Sequence, residues 1–276
     1  MPIFRSPLAT ALGTAPDADA SIYIASAEVT KLEQQIGINK LITYLKTQSL
    51  WTPLAGGFLL GNDVQKSGTS LIDLKAGASA TLTGGTRTQS GIVLEGSAVD
   101  KISVGNRTFT NNHPPSTYIL SNLIGVQTTA SNSIRAGFSC LSNNTRLLAV
   151  MFGHDTTGST SNVVFRADRG TDTIVSSIFS GSISSSNNFL GLTFSANDQK
   201  LYIPGAVFWD NSGTVSGGNT RTYAANSEWI LHCLLTSGAA SLETALFSTL
   251  LFWDSNTTIT RAQAFAIDSL IRSFAL

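Results

Sequence analysis

Between Leu59 and Leu251 the chain is a succession of short apolar runs separated by Gly, Asn, Ser and Asp. Examples are Gly91-Ile-Val-Leu-Glu95, Lys101-Ile-Ser-Val104, Leu147-Leu-Ala-Val-Met-Phe152, Asn162-Val-Val-Phe-Arg166, Lys200-Leu-Tyr-Ile203 and Glu228-Trp-Ile-Leu-His-Cys-Leu-Leu235. Runs of this length, bounded by turn residues, read as strands. No long helical pattern interrupts them, which argues against βαβ units and for antiparallel layers. A chain of 276 residues is long enough to bury a sizeable core in this way. The segments Thr156–Ser161 and Ser212–Asn219 read as exposed loops.

Charge excludes several classes. Only 12% of residues are charged, and 17 basic residues balance 17 acidic ones, so the electrostatic footprint of a nucleic-acid-binding protein is missing. The apolar share of 42% excludes general disorder. The longest apolar runs, Arg146–Phe152 and Ala245–Trp253, fall short of the roughly 20 residues that span a bilayer. The opening residues do not read as a secretory signal, because Pro7, Gly13 and Pro16 interrupt them. Two cysteines, Cys140 and Cys233, lie in apolar strand-like runs and are expected as buried thiols rather than as a disulfide framework. The sequons at Asn106, Asn143 and Asn256 carry no weight without a secretory route.

Residues 1–20 read as an extended arm, since Pro2, Pro7 and Pro16 disfavour helix. The arm carries Ile3, Phe4, Leu8 and Leu12, apolar groups expected to find cover on this domain or on a neighbouring subunit. Residues 21–56 form a helical segment. Its helix runs from Thr30 to about Gln48, with Thr30 and Glu33 as a capping box and Ile38, Leu41, Ile42 and Leu45 as the apolar face. Residues 57–257 hold the sandwich. Residues 258–276 form a closing helix packed on it, with a second capping box at Thr260 and Gln263 and a stripe of Ala264, Ile267, Leu270, Ile271 and Phe274.

Chemistry is sparse. No nucleophile elbow, Walker loop, dinucleotide fingerprint or zinc-protease motif is present. His113, His154 and His232 are far apart, and His232 reads as a strand histidine with a local hydrogen bond. Asp155 reads as a loop cap beside His154. Glu95, Asp100, Asp210, Glu228 and Asp254 are isolated, with no acid-x-acid pair on one strand of the kind that sugar-cleaving sandwiches use. Asp63, Asp100 and Asp155 form no dense oxygen-ligand loop for Ca²⁺. No metal or cofactor is expected. Trp209 and Trp253 each precede polar residues at a strand end, so each suits either a sugar-stacking platform or a core position, the core being the favoured reading.

Two stretches carry a resemblance. Asp19–Thr30 continues through Gly37–Lys46 into Leu50-Trp51, and Phe247–Ser255 continues into Ile259–Ile271. Gly91–Gly105 between them looks like paired laminin-G-type strands, and Asp198–Gly205 looks like a Leu-Tyr-x-Asn-Gly hairpin with Pro204 in place of Asn. Pro53–Gly57 echoes the Tyr-Pro-Phe-Val-Gly-Gly that follows the first helix in such proteins. The chain thereby resembles bacteriophage and prophage structural proteins with a concanavalin A-like (laminin G-like) jelly-roll domain. The resemblance implies a mainly β sandwich with flanking helices. It also implies a virion component without catalytic residues: a capsid decoration protein, head fibre, or tail or baseplate subunit, made in the host cytoplasm. The partners expected on this basis are other virion proteins and further copies of the chain. A host-adhesion module that binds cell-surface carbohydrate is the alternative. Neither nucleic-acid binding nor membrane insertion is expected.

Overall fold

The computed structural model describes residues 6–75, 79–95, 99–124, 136–142, 145–155, 162–167, 175–179, 189–198, 200–202, 225–233 and 244–276. Helices α1 (Pro7–Leu12), α2 (Ala18–Ser26) and α3 (Leu32–Thr47) open the chain, and α4 (Arg261–Ala275) closes it. Between them run β1 (Leu54–Leu59), β2 (Ser70–Ile72), β3 (Ser79–Thr83), β4 (Thr86–Thr88), β5 (Gly91–Glu95), β6 (Lys101–Arg107) and β7 (Ser116–Ile124). They are followed by β8 (Ala136–Ser142), β9 (Thr145–Asp155), β10 (Asn162–Ala167), β11 (Val175–Phe179), β12 (Leu190–Ser195), β13 (Lys200–Tyr202), β14 (Ser227–His232) and β15 (Thr244–Trp253).

The strands form two sheets in which every pairing is antiparallel. One is seven-stranded, in the order β13-β12-β7-β15-β5-β4 with β1 also paired to β15; the other is eight-stranded, in the order β11-β10-β9-β8-β14-β6-β3-β2. The fold is the mainly β, concanavalin A-like jelly-roll sandwich expected from the sequence. β1 begins at Leu54, ahead of the expected boundary at residue 57, and pairs with β15 close to the other end of the chain.

Side-chain alternation explains the apolar runs. In β15, Phe247, Leu250 and Phe252 enter the core between the sheets, while Leu251 and Trp253 enter a second core beneath the helices. In β7, Ile119 faces the first core and Tyr118 and Leu120 face the second. A strand buried on both faces needs apolar residues at nearly every position. The helices therefore form a third layer on the outer face of the seven-stranded sheet. Ile38, Leu41, Ile42 and Leu45 of α3 and Ala264, Ile267 and Ile271 of α4 fill the gap, as the helical spacing anticipated.

Two close approaches fix this layer. A Cβ on Gly37 would lie 2.3 Å from the Phe274 ring, so α3 and α4 meet where one side chain is missing. A Cβ on Gly191 would lie 2.0 Å from Asp268 Oδ1, which lets α4 lower a carboxylate onto β12. That carboxylate accepts from Tyr118 Oη at 2.9 Å and from Arg272 Nε at 2.7 Å, and Arg272 Nη2 donates to the Phe189 carbonyl at 3.0 Å.

Three local expectations need correction. Pro7–Leu12 is a helix rather than extended chain. Pro7 sits at the first helical position, where its missing N–H would have had no partner anyway, Ser6 caps the turn, and Gly13 ends it at φ 69°. Second, the Thr30–Glu33 capping box does not form: Lys31 is the N-cap of α3 and makes no side-chain cap bond. The end of α2 decides this, because Glu28 takes a left-handed conformation (φ 57°) and the Val29 amide bonds back to the Ile24 carbonyl. That C-terminal motif consumes the residues that would have led into Thr30. Third, Leu270 is only partly buried at the edge of the α4 stripe. The capping box at Thr260 and Gln263 does form.

Candidate functional site

Trp253, one of the two tryptophans considered for sugar stacking, is fully buried, and its indole N–H donates to the Leu50 carbonyl at 2.8 Å. It joins β15 to the end of α3 and is withdrawn as a platform. Trp209 lies outside the described residues, as do Ile3 and Phe4 of the arm. Leu8 is buried by its own chain, and Leu12 is half-buried. Of the two kinds of cover expected for the arm's apolar groups, Leu8 finds the first, on this domain.

Of the remaining tryptophans, Trp229 belongs to the core between the sheets, stacked edge-on with Phe109. Trp51 is different. It follows the C-terminus of α3, is partly exposed, and has two ammonium groups close to its ring: Lys46 Nζ at 5.6 Å and Lys75 Nζ at 5.7 Å from the centroid. Lys46 is held by the carboxylates of Asp17 at 2.7 Å and Asp19 at 2.6 Å. Burial alone would lower its pKa, but these two partners outweigh it and raise the value. Lys75 donates to the Thr52 carbonyl at 3.1 Å. Burial pulls its pKa down, and the charges of Asp73 and Asp19 oppose this only in part. Asp73 is itself buried, accepts from the Gly57 and Lys75 amides, and is pushed above the usual carboxylate range by burial. An aromatic face beside a lysine ammonium can hold a ring-shaped polar ligand with a negative group. The sequence offered no periodic signal for this site, because Trp51, Lys46 and Lys75 come from three separate segments.

The outer face of the eight-stranded sheet carries a second polar group. Ser103 Oγ donates to Glu228 Oε1 at 2.6 Å, and Lys101 Nζ lies 3.4 Å from the same oxygen. Next to Lys101 in the register stands His232, hydrogen-bonded to Ser139 Oγ. Both His232 and Ser139 are fully buried, so the pair serves the sheet, as the local hydrogen bond expected for His232 implied. His154 and Asp155 close β9, and residues 156–161, expected as a loop, lie outside the described residues. Asp100 accepts from the Glu95 amide, and Asp254 accepts from the Asn256 and Thr110 amides. Asp63 is paired with Lys31. Asp210 lies outside the described residues, as do the expected loop at 212–219 and Pro204. Among the described residues no group of three His, Cys, Asp or Glu side chains is placed to hold a metal ion. Cys140 and Cys233 are both buried, and burial raises the pKa of Cys140.

A groove of about 510 Å³ opens between α1, α2 and the start of α3. Leu8, Pro16, Ile24, Val29 and Leu32 supply its apolar walls, and exposed Glu28 stands among them.

No protein-family model matches this sequence. No curated protein matches it. Solved structures share its fold. A Trypanosoma rangeli sialidase in complex with sialic acid matches at 13% identity and a TM-score of 0.53, over 81% of this chain and 34% of that one. The same sialidase in complex with 2,3-difluoro-KDN matches at 12% identity and a TM-score of 0.54, over 89% and 41%. The binding domain of Paraclostridial Mosquitocidal Protein 1 matches at 15% identity and a TM-score of 0.50, over 79% and 52%. The chain thus spans about a third to a half of the length of these structures. At such identities the likeness is one of fold. It still corrects one expectation: the chain was read as not being an enzyme, yet sialidases, which are enzymes, contain this sandwich, so the fold does not set the chain apart from them.

Proposed function

We propose that this chain is a carbohydrate-binding β-sandwich module whose ligand is a sugar bearing a carboxylate. The observation that carries the reading is the Trp51 site, a partly exposed indole with the Lys75 ammonium 5.7 Å from its centroid. Stacking on the indole supplies affinity for a sugar ring, and the ammonium selects negative charge. The shared fold with a sialidase crystallised with sialic acid supports the same class of ligand. The test is a glycan array with the intact chain. Binding to carboxylated glycans, lost in Trp51→Ala and weakened in Lys75→Gln, supports the proposal. Retention of binding in Trp51→Ala, or no binding at all, overturns it.

A second reading is a virion structural subunit of the phage type that the sequence resembles. The contact such a subunit would be tested at is Ile22 on α2, which is 52% exposed on the helical layer. Incorporation of the chain into purified phage particles, reduced in Ile22→Asp, tests this reading. Equal incorporation of the variant removes Ile22 from the contact.

A further inference from the structure

We propose that the small cavity between the first turn of α3, the turn at Asp63 and Val64, and the last turn of α4 binds one monovalent cation, held by the Gln34 amide oxygen, the Asp63 carboxylate and the Gln89 amide oxygen. An orphaned acceptor leads there. Gln34 is 8% exposed, and its Oε1 is buried with no hydrogen-bond partner among the described residues. The other end of the amide fixes its orientation, because Nε2 faces Glu33 Oε1 at 3.4 Å and a carboxylate only accepts. A buried acceptor left unpaired is costly, so native proteins rarely keep one without a guest to satisfy it.

The cavity says what kind of guest. It measures about 30 Å³, room for a single water-sized occupant. Gln34, Asp63 and Gln89 line it, and Phe274 and Ala275 of α4 close it. Lys31 Nζ and Gln89 Nε2 both donate to the same Asp63 oxygen, Oδ2, the latter at 3.0 Å, which leaves Oδ1 to face a guest. Gln89 spends its NH₂ group on that bond and has its own oxygen to offer. Two amide oxygens and a carboxylate oxygen form the donor set of a hard cation.

Charge selects the valence. Two carboxylates, Glu33 and Asp63, against one ammonium, Lys31, leave a single negative charge around the cavity. The same acids answer the positive end of α3. Calcium draws on about 6–8 oxygens, several of them from carboxylates. Here one carboxylate is offered, and Lys31 already shares it. A monovalent ion, which neutral carbonyl oxygens suffice to hold, fits this set.

The inference is independent of the glycan reading. Thermal unfolding of the full chain is compared in potassium, sodium and choline chloride at equal ionic strength. Choline is too large for the cavity and supplies the ionic strength alone. At a concentration tenfold above the dissociation constant, potassium or sodium is expected to raise the midpoint by about 3–6 °C over choline, and the increment saturates. Gln34→Leu removes the oxygen while keeping the bulk, and there the increment is expected to vanish. Gln89 is exposed, so Gln89→Ala keeps the test interpretable should the Gln34 variant fold poorly; it is expected to weaken the increment. Identical midpoints of the parent in all three salts refute the proposal and leave an ordered water as the partner of Gln34. An increment undiminished in Gln34→Leu, or in Gln89→Ala where only that variant folds, refutes it as well, since the ion then acts elsewhere.

Discussion

Tyr118 on β7 and Asp268 on α4 are joined by a fully buried hydrogen bond of 2.9 Å that ties the centre of the seven-stranded sheet to the closing helix. The two residues are 150 positions apart in the chain. Arg272 holds the other carboxylate oxygen. Burial, with the neighbouring Asp268, lifts the Tyr118 phenol well above its ordinary pKa and so favours the protonated hydroxyl that donates this bond. Tyr118→Phe is expected to cost about 1–3 kcal/mol in chemical denaturation, since a buried charged acceptor loses a partner. Gly191→Ala is expected to cost about as much, because its new methyl meets the same carboxylate. In an Asp268→Ala background the Gly191→Ala cost falls, because the clash is gone, and a double-mutant cycle measures the difference. Additive costs would show that the two residues do not meet.

The tryptophans separate into structural and surface roles. Trp253→Ala is expected to destabilise the chain by about 3–5 kcal/mol, the usual range for emptying a large core site. Trp51 only packs against the edge of the second core, so Trp51→Ala is expected to cost less than half of that, while removing the glycan binding proposed above. Thermal melts of both variants check the contrast.

The two capping boxes written in the sequence differ in fact. Thr260→Ala is expected to cost about 1 kcal/mol, because its hydroxyl accepts from the Gln263 amide. Thr30→Ala is expected to fall within about 0.5 kcal/mol of the parent, since no cap bond is lost. Denaturation midpoints decide this.

Acid should loosen the helical layer. The Lys31 hydrogen bond holds the Asp63 carboxyl below its ordinary value, with burial opposing. For Asp17, burial alone would raise the pKa, but Lys46 and the Asp19 and Ala20 amides together outweigh it and lower the value. A carboxyl whose folded pKa is lowered contributes stability above its unfolded value of 3.8 and loses it as pH falls through the folded value. Asp73 acts in the opposite sense, since its raised pKa gives stability at low pH that is lost as pH rises through the folded value. The stability gap between the parent and Asp17→Asn/Asp63→Asn should therefore narrow as pH falls below about 4, because Asp73 is common to both chains. A gap independent of pH would refute the assignment.

Native-state thiol labelling should be slow. Cys140 and Cys233 are both buried, and the raised pKa of Cys140 keeps its thiolate scarce. Both should react promptly once the chain is unfolded, which a thiol-reactive chromophore with and without denaturant will show.

How far the fold could be read in advance depended on where each signal resides. The α4 capping box and the stripe apart from Leu270 lie within a single helix, and the sequence carried them correctly. The strands of the sandwich announced themselves through short apolar runs between turn residues. The same sequence misled at Pro7, where a proline compatible with the first turn of a helix was read as a bar to helix. It misled at Thr30, where the end of the preceding helix displaced a good local cap. Trp253 was ambiguous, because one side chain beside a turn looks alike whether a helix covers it or a ligand does. The Trp51 site was illegible, since its parts meet only after α3 and the segment that follows β2 have packed.

Taken alone, the amino-acid order determined the class of structure: low charge, and short apolar runs between turn residues with no long helical pattern among them, leave an antiparallel sandwich with amphipathic helices at its ends. Which sheet face the helices cover, which tryptophan stays near water, and which lysines stand beside it were decided by tertiary packing. The reason is physical: periodicity is a property of neighbours along the chain, whereas a site is made of groups far apart in sequence, and only burial of the two cores brings them together.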